Sequence, residues 1–344
     1  MVAMPNTIPA VDSAEIMQNV LQEIEKHAAI RVLQTGALTT NRAGDKLTDA
    51  KALKANGAIA LTDDGSGVPN AVLMLQALTN ARDAGLPVIE HCEDHSVAAG
   101  GVMHLGNVSQ RLGLLGQSGI VEELIVARDA ILAKEAGWGV HVQHISSAGS
   151  VAQVRFAQSQ DINVTAEATP HHICLTDEAC SKYGTNAKMN PPLRSENDRQ
   201  AIIAALQDNT IAAIATDHAP HAASEKAVGF AEAPFGIIGL EAAVPVCLTE
   251  LYHTGILSLS QFVAKFTSGP RRILGLPYGS LAEGAPADVT VLDLELDHTL
   301  DVSQFRSRSH NCPYDGWKCR GKAVGVAVGG QWIYSEMPEI AGVI

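Results

Sequence analysis

Short apolar runs alternate along the chain with longer stretches in which apolar residues recur at helical spacing. The runs rich in Val, Ile and Ala predict strands, and the amphipathic stretches between them predict helices. This alternation is typical of a parallel sheet with crossover helices, whose strands are buried on both faces. The predicted strands are residues 30–38, 57–62, 87–90, 140–144, 162–166 and 211–216, and the predicted helices include residues 72–84, 122–136 and 199–207.

The pattern changes near Leu276. Gly and Pro interrupt the sequence beyond this point, and only short β runs remain, at residues 289–292, 323–328 and 331–334. Strands bounded by such turn residues, without helices between them, predict a small β unit appended to the strand–helix region.

Side chains that can bind metals stand at the ends of the predicted strands. Asp63 and Asp64 follow the second strand, His91 follows the third, His144 ends the fourth and Asp217 follows the sixth. In a β/α barrel all strand ends open on one face, whereas an open sheet spreads them along a line. Convergence of these side chains therefore favours a barrel.

Asp64, His91, His144 and Asp217 are candidate ligands of a divalent cation. Two imidazoles with carboxylates suit a borderline ion, most often zinc. Three protein ligands leave the fourth position of a tetrahedral ion open to a water, which is the arrangement of a catalytic site. The ion would lower the pKa of water toward ~7, and a further carboxylate could pass a proton to the leaving group. For any one of these residues alone, a hydrogen-bonded polar residue without metal is the alternative.

Several loops stiffened by proline carry further polar side chains. One runs Asp217-His218-Ala-Pro-His221, with two histidines flanking a turn. Two others contain His172 and Asn190, and rigid loops of this kind can hold donors for a substrate. Asn6 follows a proline near the start of the sequence and could bind a substrate amide or carboxylate, although Pro-Asn is more often only a turn.

Composition excludes several classes of protein. The 344 residues are 46% hydrophobic and 18% charged, which is typical of a globular protein and not of a disordered chain. The 24 Lys and Arg against 37 Asp and Glu give a net charge of −13 without a basic cluster, which argues against nucleic-acid binding. Six scattered cysteines without a CxxC motif indicate reduced thiols. We expect a cytoplasmic protein that acts on a small molecule, with no signal peptide and no membrane span.

Together these motifs resemble those of the class I dihydroorotases, within the amidohydrolase superfamily. The resemblance extends over essentially the whole chain, and the ordered set of motifs is specific. The stretches that carry it are Ala3-Met-Pro-Asn-Thr7, Leu61-Thr-Asp-Asp-Gly65, Glu90-His-Cys-Glu-Asp94, Val142-Gln-His-Ile-Ser146, Thr169-Pro-His-His172, Asn190-Pro-Pro-Leu-Arg194, Ala215-Thr-Asp-His-Ala-Pro-His221, Gly236-Ile-Ile-Gly-Leu-Glu241 and Gly284-Ala-Pro-Ala-Asp288.

The resemblance implies an α/β fold, a TIM-type (β/α)8 metal-dependent hydrolase barrel with a small β-sandwich. It also implies the reversible, zinc-dependent cyclisation of N-carbamoyl-L-aspartate to L-dihydroorotate in de novo pyrimidine biosynthesis. By the same resemblance Asp64 is a metal-bridging carboxylate, His91 and His144 are metal ligands, and Asp217 contacts metal and shuttles the proton. The implied substrate contacts are Asn6, Asn190, His221 and the backbone of Phe235 and Gly236.

The family pattern also has a His-x-His pair and a following Arg at the end of strand 1, and neither is in this sequence. We therefore expect a barrel missing strand 1 over residues 1–275 and a partial β-sandwich over residues 276–344. The zinc site, for one or two ions, would be incomplete without that pair. Since the downstream motif positions all keep residues competent for chemistry, we expect a fragment of an active enzyme and not a short inactive homologue.

Two other functions stay open. Hydantoinases, dihydropyrimidinases and allantoinases are related cyclic amidases, but they typically carry a carboxylated Lys where this sequence has Asp64, which favours a dihydroorotase. A non-enzymatic subunit bound to aspartate transcarbamoylase is the second alternative, and a homodimer is a further possible assembly.

Overall fold

The computed structural model describes residues 1–277 and 279–337. Its strands, in chain order, are β1 Val2–Ala3, β2 Leu33–Gln34, β3 Val88–Glu90, β4 Met103–His104, β5 Gly116–Gln117, β6 Val140–Val142, β7 Val164–Ala168, β8 Ala213–Ile214, β9 Val289–Thr299, β10 Lys318–Val328 and β11 Gln331–Ser335. Its helices are α1 Ala14–His27, α2 Ala50–Ala55, α3 Ala71–Ala84, α4 His95–Ala98, α5 Asn107–Leu112, α6 Ile120–Ala136, α7 Ala148–Ser159, α8 Pro170–Cys174, α9 Glu178–Tyr183, α10 Glu196–Gln207, α11 Ala223–Lys226, α12 Ala243–Cys247, α13 Leu259–Phe266 and α14 Ser268–Leu274.

The chain forms two compact units. Unit 1 consists of Met1–Ala98, Gly119–Ile145 and Gly149–Glu167, and unit 2 contains the remaining described residues. The strands β9, β10 and β11 lie in the described residues after Leu276, which we call the β tail, and they belong to unit 2. A separate domain that starts at residue 276 stays a prediction. Within the described ranges, no helix combines the length and the apolar character that a bilayer crossing requires.

Unit 1 is built on parallel strands that pair in the order of the chain. β1 pairs with β2, β3 pairs with β6, and β6 pairs with β7, in each case in parallel. Leu61 bridges Gly36 on one side and Val88 on the other, and so joins the first pair to the rest. The predicted succession of parallel strands is therefore confirmed in this unit.

Two of the predicted strands are much shorter than expected. Of residues 30–38 only Leu33–Gln34 is a strand, and of residues 57–62 only Leu61 takes part in a bridge. The buried carboxylate of Asp63 explains part of the difference. It accepts hydrogen bonds from the backbone N–H groups of Leu38 and Thr39, at 2.9 and 3.0 Å, which a neighbouring strand would otherwise accept.

The long helices of unit 1 agree closely with the sequence pattern. Asn70 caps the start of α3, where its side chain accepts from two backbone N–H groups of the first turn, and Gly85 caps its end in the left-handed conformation. Met74 and Leu78 are fully buried on its inner face. Burial of two such side chains contributes roughly 3–6 kcal/mol, which outweighs the few tenths that helix propensity supplies.

Unit 2 has its own hydrophobic core and carries the β tail. The core includes Met103, Met189, Val246 and the almost fully buried Tyr314. β9, β10 and β11 form an antiparallel meander, with β10 in the centre. The predicted β runs are confirmed, although β9 extends to Thr299 because its second half continues to pair with β10.

Candidate metal centre

Three of the four predicted metal ligands meet at the strand ends of unit 1. Asp64 follows the bridge at Leu61, His91 follows β3 directly, and His144 lies two residues beyond β6. One ligand atom from each lies within 4.8 Å of the others. Nδ1 of His91 is 3.1 Å from Nε2 of His144, and this Nε2 is 3.8 Å from Oδ1 of Asp64.

These distances fit a divalent cation. Two ligand atoms that each lie about 2.1 Å from an ion at the tetrahedral angle are about 3.4 Å apart, close to both observed separations. Two imidazoles and one carboxylate are a donor set that zinc favours. Both histidines are buried, so an ion here would be partly shielded from water.

The charge state of Asp64 also suits metal binding. Burial alone raises the pKa of this carboxyl, but the nearby His144, His91 and Arg42 outweigh burial and hold the pKa below its ordinary value. Arg42 donates to the backbone carbonyl of Asp64 and, at 3.2 Å, to the hydroxyl of Ser66. Asp64 is therefore ionised at neutral pH, as a metal ligand must be.

Glu93 is a further residue of this site, which sequence reasoning did not single out. Nε2 of His91 donates to Glu93 Oε2 at 2.9 Å, and Nδ1 of His95 lies 3.4 Å from Oε1 of the same carboxylate. Nε2 of His95 in turn donates to Ser66 O at 2.9 Å. With its Nε2 proton engaged, His91 presents Nδ1 toward His144. In the sequence, Glu93 could have been identified as a carboxylate two residues after a histidine at the end of a strand.

Three buried carboxyl groups, those of Asp63, Glu90 and Asp129, form what we call the acidic layer, and the first two directly precede the ligands Asp64 and His91 in the sequence. Burial, with the charges of Asp129 and Asp63, raises the pKa of Glu90 well above its ordinary value. Burial also raises the pKa of Asp129 to about 6, against the opposing effect of the Arg128 guanidinium. Glu90 lies in a predicted buried strand, whereas nothing in the sequence pattern distinguished Asp129 from a surface carboxylate, because its burial depends on tertiary packing.

Two predicted ligands, and the arginine that contacts a third, have backbone torsion angles in the left-handed region. They are His144, with φ of 31°, Asp217, with φ of 45°, and Arg42, with φ of 55°. This region is uncommon for residues other than Gly, and such strain concentrates at functional sites. The two predicted site residues among them follow different strands, so the strain is not a property of one loop.

The predicted substrate residues of unit 2 are partly brought together. Nε2 of His221 donates to Phe235 O at 2.7 Å, so these two predicted contacts touch. Asn311 accepts from the His221 N–H at 3.2 Å and donates to Gly236 O at 3.1 Å. Asn311 thus connects two predicted positions, His221 and Gly236, although its own sequence context gave no indication of this.

Gly236 occupies a position that only glycine tolerates. Its φ is +121°, and a Cβ there would lie 2.5 Å from the side chain of Ala219. Ala219 N–H donates to Ile237 O at 2.8 Å, and His218 forms a parallel bridge with Ile237. The segments around His221 and Gly236 are therefore closely fitted to each other.

The remaining predicted residues have the following surroundings. Asn6 donates to Oδ2 of Asp64 at 3.2 Å, and so lies beside a metal-ligand candidate in unit 1. Asn190 accepts from Gln117 Nε2 at 3.4 Å in unit 2. Asp217 lies three residues beyond β8, also in unit 2, and its role as ligand and proton shuttle stays a prediction.

Comparison with known sequences gives a consistent set of relatives. A family model described as dihydro-orotase-like matches residues 1–150. A dihydroorotase from Halalkalibacterium halodurans is 45% identical over 334 residues, which are 97% of this chain and 78% of the relative. A dihydroorotase from Bacillus caldolyticus is 46% identical, with the same coverage of both chains.

Comparison with solved structures gives the fold. An L-hydantoinase (dihydropyrimidinase) from Arthrobacter aurescens matches with a TM-score of 0.87 at 24% identity, over 97% of this chain and 77% of the other. A D-hydantoinase (dihydropyrimidinase) from Thermus sp. matches with a TM-score of 0.78 at 21% identity, over 97% and 76%. The predicted fold class, an α/β barrel with a C-terminal β-sandwich part, is confirmed by this likeness.

Proposed function

Because this chain belongs to the dihydroorotase family of cyclic amide hydrolases, we propose that it interconverts N-carbamoyl-L-aspartate and L-dihydroorotate, a reaction of de novo pyrimidine biosynthesis. One observation carries the proposal. Asp64, His91 and His144 come within 4.8 Å of one another in a chain about 45% identical to dihydroorotases over 97% of its length.

Zinc is the ion that we propose for this site. Asp64, His91 and His144 would hold it, and Asp217 would contact it as a further carboxylate. When bound, zinc would supply Lewis-acid chemistry for attack on the cyclic amide. The hydrogen bond from His91 to Glu93 and the depressed pKa of Asp64 support the assignment, since both leave donor atoms ready for a cation. The number of ions, one or two, stays a prediction.

The chain's own residues would do the remaining work. In ring opening, the Asp217 carboxylate would accept a proton from the attacking water and then donate it to the departing ring nitrogen. In ring closure the same proton would travel in the opposite direction. Asn6, Asn190 and the imidazole of His221 would orient the substrate, and the backbone of Phe235 and Gly236 would contact the ring.

An assay of dihydroorotate hydrolysis by the zinc-loaded chain tests this function. Since the chain spans 78% of the relatives, a second sample adds the residues of the Bacillus caldolyticus relative that this chain leaves uncovered. We expect turnover with dihydroorotate, and a decrease in kcat of about a thousandfold or more in Asp217→Asn, since loss of a proton-transfer group alone costs about 10²–10⁴. Zinc-loaded samples that both fail to turn over dihydroorotate would overturn the proposal.

The likeness to hydantoinase structures favours a second candidate substrate class, the hydantoins and dihydropyrimidines. The same samples should therefore be assayed with hydantoin, dihydrouracil and allantoin. We expect the kcat/KM for dihydroorotate to exceed the others by at least about a hundredfold, because two fixed polar contacts to the substrate carboxylate would contribute about 1.4 kcal/mol each. A preference for hydantoin would reassign the substrate but leave the metal site in place. Assembly with a second copy or with aspartate transcarbamoylase stays a prediction.

A further inference from the structure

Two buried lysines hold the segment of unit 2 that ends in Phe235 and Gly236. This segment, residues 229–236, follows α11 and contains no helix or strand. Lys188 and Lys226 are only 2% and 6% exposed. Lysine is rarely buried to this degree, so the hydrogen bonds of the two ammonium groups require an explanation.

Lys188 binds the middle of the segment. Its Nζ donates to Ala231 O at 2.9 Å and to Ala233 O at 2.6 Å. The same ammonium lies 4.5 Å from the ring centre of Phe235 and 5.7 Å from that of Phe230. The cation therefore contacts two carbonyls and two aromatic rings of one short stretch, and both kinds of contact favour a positive charge.

Lys226 binds the end of the segment and ties it to the region around Lys188. Its Nζ donates to Pro234 O at 2.7 Å, to Thr185 O at 3.1 Å and to Lys188 O at 3.4 Å. An ammonium has three N–H groups, and three carbonyls accept from them here. The Lys188 carbonyl also accepts from the Gly236 N–H at 2.9 Å, so this one carbonyl binds both the Lys226 ammonium and the backbone of Gly236.

Stability alone does not account for two buried cations. Burial, together with the charge of Lys188, lowers the pKa of Lys226 to about 8, and burial likewise lowers that of Lys188. Apolar side chains of similar volume in place of buried charges are often neutral or stabilising. Unlike apolar side chains, the ammonium groups form directional hydrogen bonds. Each group thereby fixes the positions of specific carbonyl oxygens in a loop that has no regular structure.

We propose that Lys188 and Lys226 are positioning residues that clamp residues 229–236 and thereby set the place of the Phe235 carbonyl and the Gly236 backbone. The Phe235 carbonyl accepts from His221, so movement of the segment would also release the imidazole. The effect on substrate binding rests on the proposed function. The clamp itself does not, since it consists of contacts within unit 2.

Limited proteolysis tests the clamp without any assay of activity. Chymotrypsin cleaves after Phe230 and Phe235, and mass spectrometry of the new N-termini identifies each cut. In Lys188→Met and Lys226→Met we expect cleavage at these sites to be at least about tenfold faster than in the wild type. The matched control is Lys182→Met, since Lys182 is an exposed lysine of the same unit. Cleavage of both buried variants at the control rate would overturn the proposal.

A second measurement applies if the variants do not fold. Hydrogen exchange of the wild-type chain should show protection of the Gly236 amide, which donates to Lys188 O. Exchange of this amide at the rate of an open loop would also overturn the clamp. In an active sample, Lys226→Met should raise the KM for dihydroorotate about tenfold, with kcat changed less than about threefold. If no sample is active, the proteolysis and exchange results still decide on the clamp, and the proposed function fails separately.

Discussion

The ligand cluster of unit 1 and the clamped segment of unit 2 are positioned by different means. Asp64, His91 and His144 are held at the ends of parallel strands, and they face one another through ionisable side chains. Residues 229–236 have no such frame, and two ammonium groups hold them by their backbone carbonyls. Residues that bind through their side chains can be recognised in a sequence by their identity and spacing. A backbone carbonyl is present at every position, so the sequence does not show which carbonyls are bound. The first kind of site can therefore be predicted from a sequence and the second cannot.

The largest effect should come from the ligand cluster. His144→Asn removes one of three donors, and we expect zinc affinity to fall by about a thousandfold, roughly 4 kcal/mol, since loss of an outer partner alone costs 10–100-fold. Calorimetric titration with zinc measures this, and His27→Asn, at an exposed histidine, is the control. Chymotrypsin cleavage after Phe235 should not change. Wild-type affinity in His144→Asn would remove His144 from the site.

The next effect concerns the acidic layer and depends on pH. The folded pKa of Asp129 is about 6, above its value near 4 in the unfolded chain, so folded Asp129 holds a proton that the unfolded chain has lost between these values. The contribution of Asp129 to the free energy of unfolding therefore falls as pH rises from about 4 to 6, by up to about 3 kcal/mol, and stays low above that.

Asp129→Asn lacks this titration, so its free energy of unfolding relative to the wild type should rise over the same pH range. Urea unfolding at pH 4.5 and pH 7 measures the difference, with Asp45→Asn as an exposed control. A difference that does not change with pH would show that Asp129 is ionised in both states across the range.

A smaller effect should come from Glu93. Glu93→Gln leaves an amide that can accept from His91 through its oxygen but carries no charge, and we expect zinc affinity to fall by about 10–100-fold. The absorption spectrum of bound Co²⁺ should change as well, because the ring of His91 is less strongly oriented. Glu25→Gln, at an exposed glutamate, is the control. Unaltered affinity and spectrum would leave Glu93 with no role in orienting the ligand.

The smallest effect is expected away from both regions. Arg111 and Glu178 form a 2.6 Å ion pair in which both side chains are more than half exposed. Arg111→Ala should change the free energy of unfolding by less than about 1 kcal/mol, because water screens such pairs. Zinc affinity and the cleavage rate after Phe235 should both stay at wild-type values. Loss of either would mean that the two regions depend on the stability of the whole fold and not on their own contacts.

The sequence predicted the parts of the molecule that depend on periodicity. The α3 and α6 helices and the parallel succession of strands follow from apolar spacing, and the cluster of Asp64, His91 and His144 follows from their places at strand ends. The strand at residues 30–38 was wrong in extent, in part because the Asp63 side chain accepts the backbone hydrogen bonds of Leu38 and Thr39 that a strand would have made.

Other features had no signal that could be read from one sequence. Arg42 reaches Asp64 from 22 positions away, and Asn311 reaches Ala219 across 92. In the sequence the buried Lys188 cannot be distinguished from an ordinary surface lysine, since its partners are the backbone carbonyls of alanines. Contacts of this kind depend on how distant loops fold back on each other, which residue identity alone does not specify.

Asn311 has a practical consequence for how this chain can be divided. Its side chain accepts from the N–H of His221 and donates to the carbonyls of Ala219 and Gly236. A shortened chain that stops near residue 275 would leave all three backbone groups without Asn311 as a partner, although Asn311 is far from them in the sequence. Expression trials, domain exchanges and fusion designs should therefore keep the β tail attached, since what looks like an accessory module supplies a fixed part of the adjoining loops.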